Sequence, residues 1–203
     1  MKDLAFYETL VAPVCFTTSY LWTRKRNYLS IQIIMLTKKI EKALNDQIKT
    51  EAQSSQFYLA MASWAETNGY NGAAAFLYAH SDEERMHMLK LVKFVNERGG
   101  KSIIPKLDQP PHEFKSLPDI FKSLLDHETH VTQSINEVVD VCLKEKDYTT
   151  HNFMQWYVSE QIEEEGLARN IMDKINLIGT DKGGLYLLDR DLQALSTAAA
   201  NKG

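Results

Sequence analysis

Four stretches of this chain repeat apolar residues at alternating spacings of three and four, and each stripe carries metal-ligand-type side chains in its middle. The first runs Ile40, Leu44, Ile48, Glu51, Ser55, Tyr58, Ala62, and the second Ala73, Leu77, His80, Glu84, His87, Leu91, Phe94. The third runs Phe121, Leu124, Glu128, Val131, Ile135, Val138, Cys142, and the fourth Met154, Tyr157, Gln161, Glu164, Ala168, Ile171, Ile175, Ile178. Such spacing places every member of a set on one face of an α-helix. That face must be buried, and a buried carboxylate is costly unless something cationic meets it. The ordinary partner is a buried Lys or Arg, and none of the four stripes contains one. Converging glutamates from four helices on one interior point is how a helical bundle builds a two-metal site.

The bulk numbers agree with one globular domain. The chain has 203 residues, 44% hydrophobic and 25% charged, with a net charge of −4. No basic face suggests nucleic acid, and no stretch is long and apolar enough to span a bilayer. Only two cysteines occur, Cys15 and Cys142, without a Cys-x-x-Cys pairing. That usage fits a reducing, cytoplasmic compartment. Residues 1–34 stand apart. Their apolar run is broken by Glu8 and Pro13, and the basic cluster Arg24, Lys25, Arg26 follows the run, which is the wrong order for a secretory signal. Residues 1–34 are expected to be a disordered extension or a stretch upstream of the functional start at Met35. Residues 35–203 are expected to form the domain.

Punctuation divides that domain into helices. The first is expected from about Thr37 to Glu66, ending in the turn Asn68, Gly69, Asn71, Gly72. The second runs from about Gly72 to Arg98 and stops at Gly99-Gly100. A long connection follows, broken by Pro105, Pro110 and Pro111. Ser116 with Asp119 three residues on reads as a capping box that opens the third helix, which reaches about Lys146. A tight joint at Asp147–Thr150 leads into the fourth, ending at Gly179. Leu185, Leu188, Leu192 and Leu195 mark a short fifth helix, and Ser196–Gly203 reads as a loose tail. The short joints make antiparallel pairs. The long connection, at about 3.3 Å per residue, can span the whole second helix and leave helices two and three parallel. The fold class is therefore all-α: a four-helix bundle with one long crossover and a short fifth helix.

The chemistry follows from the stripes. Glu84-x-x-His87 sets a carboxylate and an imidazole on one face within reach of one cation. Glu51, Glu128, Gln161 and Glu164 raise that weak motif to a constellation. Oxygen-rich ligands with one imidazole suit iron or manganese, and the lack of thiolates argues against structural zinc. Tyr58 reads equally as a carboxylate partner, an electron donor or a core tyrosine. Trp156 reads as packing. Glu83 beside Glu84, and Glu160 and Glu163 flanking Glu164, form an acidic surface able to take up or pass on iron. His80, His127 and His130 take structural readings, with His130 a weak outer candidate.

The stretches Asn71-Gly72-Ala73-Ala74-Ala75-Phe76-Leu77, Glu83-Glu84-Arg85-Met86-His87-Met88, Asn152-Phe153-Met154-Gln155-Trp156-Tyr157-Val158-Ser159-Glu160-Gln161 and Gly184-Leu185-Tyr186 resemble bacterial non-haem ferritin. The resemblance covers about Met35 to Leu195. It implies a closed cage of about two dozen subunits that oxidises Fe(II) with dioxygen or hydrogen peroxide and stores ferric mineral. Carried over by position, Glu51, Glu84 and His87 hold a first iron. Glu84, Glu128, Gln161 and Glu164 surround a second, with Tyr58 beside the centre. Glu83, Glu160, Glu163 and Glu164 form a third, outer site. Related di-iron enzymes and bacterioferritins repeat Glu-x-x-His on the last bundle helix, where this chain has Gln161-x-x-Glu164. A bacterioferritin also places a haem-binding Met where Arg85 stands, so no haem is expected. DNA-protecting mini-ferritins lack the fifth helix. A rival of another class is a slow storage or scaffold subunit, and the full ligand set argues against it.

Overall fold

The computed structural model describes residues 36–200. The expectations for residues 1–34 and for the last three residues of the tail lie outside the described residues. Five helices follow in order: α1 Lys38–Thr67, α2 Asn71–Glu97, α3 Leu117–Glu145, α4 Tyr148–Ile178 and α5 Lys182–Ala200. No strand occurs among the described residues, and no helix among them is long and apolar enough to cross a membrane.

The helix starts carry side-chain caps. Thr37 accepts from Ile40 N–H at 3.3 Å, and Ser116 from Asp119 N–H at 3.3 Å. Asp119 reaches back to Lys115 N–H, not to Ser116, so the expected capping box closes one residue early. Asp147 accepts from Thr150 N–H, which starts α4 at Tyr148, inside the stretch read as a joint. Gly179, at φ 60°, ends α4 in a conformation that a Cβ disfavours.

Cross-helix contacts fix the directions. Lys39 meets Glu145, Gln47 meets Ser134, and Ser54 meets His127, so α1 and α3 run antiparallel. Arg98 meets Asp147, Phe94 stacks on Phe153 and His80 faces Glu164, so α2 and α4 also run antiparallel. Ser55 meets Ser81 and Glu66 meets Tyr78, so α1 and α2 are antiparallel too; α2 and α3 are therefore parallel, joined by the crossover, as the connection length allows.

The stripes point inward almost residue for residue. Every member of the first and third sets is buried, as is every member of the other two except half-buried Phe94 and Ile178. The core divides in two: Tyr58, Met61, Phe76, Phe121 and Ile171 fill one half, and Ile40, Leu44, Leu91, Ile135 and Tyr157 the other. The buried carboxylates lie at the join between these apolar halves, where little water reaches them.

Helix α5 departs from expectation in two ways. It runs through Ser196 to Ala200, into the segment read as a loose tail. Only Leu188 and Leu192 of its leucine set are buried; Leu185 is half-buried and Leu195 exposed. Asp189 accepts from Ala73 N–H at 2.8 Å, so α5 caps the start of α2. Gly72 permits that approach, because a Cβ there would lie 1.8 Å from the Asp189 carbonyl oxygen.

Candidate metal centre

Glu51 comes from α1, Glu84 and His87 from α2, Glu128 from α3, and Gln161 and Glu164 from α4; all six are buried. Small residues set the helix spacing beside them. Ser55 Oγ donates to Ser81 O and Ser81 Oγ donates to Ser55 O, each at 2.7 Å, one turn from Glu51 and Glu84. This reciprocal pair draws α1 and α2 together and aims both carboxylates at one point.

Ligand atoms of Glu51, Glu84 and His87 lie within 4.8 Å of one another. His87 Nδ1 stands 3.6 Å from Glu84 Oε2. That oxygen has no hydrogen-bond partner, the sole such buried side-chain atom among the described residues. No Lys or Arg pairs with any of the four interior glutamates; their only ion-pair partners among the described residues are His80 and His87. A set of buried oxygens and one imidazole with an orphaned acceptor at its centre fits a cation such as iron or manganese.

The electrostatics agree. Burial pushes the Glu51 carboxyl well above the usual carboxylate range, and the charge of Glu84 adds to the shift. Burial likewise raises Glu84, followed by the nearby charge of Glu128. Burial lifts Glu128 to about 7, against hydrogen bonds from Tyr58 and Gln161 that favour its charged form. Burial thus favours the protonated forms of these carboxyls, and a bound cation would compete with those protons.

The second half of the expected ligand set is arranged differently. The Tyr58 hydroxyl donates to Glu128 Oε1, and Gln161 Nε2 donates to Glu128 Oε2 at 3.0 Å. Glu164 faces His80, with Oε2 at 3.5 Å from Nε2. Burial raises the Glu164 carboxyl, but the bond to His80 and the charges of His80 and His87 hold it below its ordinary value. Glu128 and Glu164 thus line the same interior without joining the three-residue cluster. The outer residues do not form one group of four either. Glu83 groups with His87 and Glu160, and also with His80 and Glu164, while Glu163 enters neither triad.

The sequence pattern of the ferritin-like domain family matches residues 41–178. A probable bacterial non-heme ferritin-like protein of Haemophilus influenzae is 46% identical over 165 residues, covering 81% of this chain and all of that one. The bacterial non-heme ferritin of Campylobacter jejuni is 46% identical over 80% of this chain and 97% of its own length. The chain belongs to the bacterial non-haem ferritin family. Among solved ferritins, the open-pore ferritin of the hyperthermophilic archaeon Archaeoglobus fulgidus superposes with a TM-score of 0.77. The two are 41% identical, and the match covers 78% of this chain and 96% of that one.

Within this ferritin, several residues around the site lay off the sequence stripes. Gln47 is fully buried; its Nε2 donates to Glu51 Oε1 at 2.8 Å while its Oε1 accepts from Ser134 Oγ at 2.6 Å. This relay from α3 through α1 orients the Glu51 carboxylate. Gln47 stands four residues before Glu51, so helical i,i+4 pairing was its available signal. Thr132 accepts from Gln161 and donates to Glu165, which ties α3 to α4. Trp156 and Tyr157 pack edge-on against the His87 ring, at 5.2 and 6.1 Å between centroids, and fix its plane. His127 keeps its structural reading: its Nε2 bonds Ser54 Oγ at 2.8 Å, and burial with neighbouring His130 lowers it to about 4. His130 is exposed and joins no three-residue cluster among the described residues. His80, read as structural from sequence, stands with Glu83 and Glu164 in a three-residue group that could hold a metal ion.

Proposed function

We propose that this chain oxidises Fe(II) to Fe(III) at an intrasubunit two-iron centre and stores the ferric product inside a 24-subunit cage. The observation that carries the reading is the buried Glu51, Glu84 and His87 cluster with its orphaned oxygen. Family membership and the ferritin relatives support the storage role and the assembly. Glu51, Glu84 and His87 hold the first Fe(II). Glu84 bridges to the second, which Glu128, Gln161 and Glu164 approach once the charge of iron draws them from Tyr58 and His80. Dioxygen or hydrogen peroxide accepts one electron from each iron. The carboxylates stabilise the higher charge of the oxidised products, which leave past Glu83, Glu160 and Glu163 to hydrolyse in the cavity. Tyr58 holds Glu128 in place and is positioned to supply an electron. Iron here is substrate and cargo, because Gln161-x-x-Glu164 offers a weaker second position than a repeated Glu-x-x-His. No haem enters this account, and the compartment is the cytoplasm.

Stopped-flow oxidation of Fe(II) tests the assignment. The double substitution Glu84→Ala with His87→Ala removes fast oxidation while leaving the cage assembled. Initial rates equal to wild type in that variant would sink it.

A further inference from the structure

His80 bears the geometry of a metal ligand. The residue is only 8% exposed. Its Nδ1 lies 3.1 Å from the Phe76 carbonyl oxygen, an acceptor, so Nδ1 carries the hydrogen. An imidazole that donates one N–H to a backbone carbonyl presents its other nitrogen in a fixed direction, the arrangement that orients histidines bound to metals. Here the presented atom is Nε2, and it faces two carboxylates. Glu164 Oε2 is 3.5 Å away, and ligand atoms of His80, Glu83 and Glu164 all lie within 4.8 Å of one another. His80 Nε2 and the two carboxylates therefore converge on one point, and no Lys or Arg forms an ion pair with Glu83 or Glu164 among the described residues. The Phe76 ring, 4.0 Å between centroids, holds the imidazole in this orientation from the apolar side.

The surroundings lead somewhere. A cavity of about 420 Å³ opens beside the triad, lined by His80, Glu83, Glu160, Glu163 and Glu164 with Leu195 of α5. Glu83 also groups with His87 and Glu160, and His87 in turn belongs to the buried Glu51–Glu84 cluster. Three overlapping triads therefore run from the centre to the cavity, each sharing one residue with the next.

We propose that His80 Nε2, with Glu83 and Glu164, binds a divalent cation at the cavity end of this series, a nitrogen-containing position that shares Glu83 and Glu164 with the carboxylate-only outer site expected from sequence and differs from it by the imidazole. This rests on the reading of the chain as an iron-handling protein. An imidazole favours Fe(II) and Zn(II) over hard, oxygen-seeking ions. The position therefore selects the reduced ion on its way to the centre, and zinc competes for it. Glu164 serves both ends: paired with His80 it belongs to the transfer position, and released from it to the second iron.

Crystals of the full chain soaked in Zn²⁺, with anomalous scattering recorded at the zinc edge, give the direct test. The expected result is a zinc peak about 2.1 Å from His80 Nε2, with Glu83 or Glu164 also bound. Zinc seated only at Glu51, Glu84 and His87, or only on carboxylate oxygens with His80 still against Glu164, overturns the inference. In solution, calorimetric zinc titration of His80→Gln should lose one site per subunit or weaken it about tenfold or more. Wild-type stoichiometry and affinity in that variant also overturn it. Should His80→Gln fail to assemble, the wild-type diffraction decides alone. A wild-type chain that oxidises Fe(II) yet places no zinc on His80 defeats this inference and leaves the proposed function standing. One that binds zinc there but oxidises no Fe(II) does the reverse.

Discussion

Substituting Glu84 by Gln should make the cation-free protein more stable and the cation-bound protein less stable. Glu84 Oε2 is buried without a hydrogen-bond partner, and burial together with the charge of Glu128 opposes ionisation of its carboxyl. An unpartnered buried acceptor costs about 1–3 kcal/mol. An amide of the same shape carries no charge and donates to the neighbouring Glu51. Taking about 1.5 kcal/mol as relieved, a domain of this size should gain roughly 3–6 °C in melting temperature. The pH dependence has a definite sign. The folded-state value of Glu84 lies above its unfolded value, so the wild type binds more protons folded than unfolded. Its stability is fullest below about pH 4.5 and falls as pH rises. The variant lacks this loss, so its advantage should be small at pH 5 and largest at pH 8. Thermal unfolding with chelator, at matched protein concentration across that range, measures it. Saturating Zn²⁺ should then invert the order, because the wild type gains binding energy that the variant has forfeited. A variant less stable than wild type at pH 8 with chelator, or equally protected by zinc, would refute the argument that Glu84 is held for a cation.

Cation binding should strengthen through pH 6 to 8, since Glu128 holds a proton below about 7 and Glu51 and Glu84 are also raised. Zinc added to weakly buffered protein should release more protons at pH 6.5 than at 8.5, and equal release at both would contradict this. Tyr58→Phe removes the hydroxyl that favours the charged form of Glu128, so the midpoint of that pH dependence should move upward; an unmoved midpoint excludes the role. Gln47→Ala leaves Glu51 Oε1 without its donor, and zinc affinity should drop about tenfold with little change in helix content. Gly72→Ala drives a methyl group into the Asp189 backbone, so α5 should lose its seat with Leu188 and Leu192. Two buried leucines contribute about 3 kcal/mol or more, and a melting temperature within a degree of wild type would show the contact is not needed.

How much was legible in the sequence differs from one element to another. The bundle was legible because burial and helical period act on the same residues: the stripe from Phe121 to Cys142 is buried at every position. The carboxylates were legible for the same reason, since Glu51, Glu84, Glu128 and Glu164 interrupt apolar runs. What the stripes miss is anything that reaches the site from an adjacent helical position. Gln47 is completely buried yet lies one residue before Ile48, off the repeat, and only the folded packing of α1 on α3 reveals its bond to Ser134. His80 was on the stripe, but its meaning depends on which nitrogen the Phe76 carbonyl engages, a geometric fact no spacing encodes. The tail failed for a physical reason as well. The Ala-rich run after Ser196 has high helix propensity and continues α5 where the loss of the leucine repeat suggested an end.

The central claim is that the buried cluster turns iron over into stored mineral. Aerobic loading of the purified chain with Fe(II), followed by size-exclusion with protein and iron detected together, tests it most directly. The account predicts many irons per subunit, on the order of tens or more, co-eluting with one very large uniform particle of about two dozen subunits. About two irons per subunit on a small oligomer would contradict it, leaving a di-iron protein that shares only the bundle.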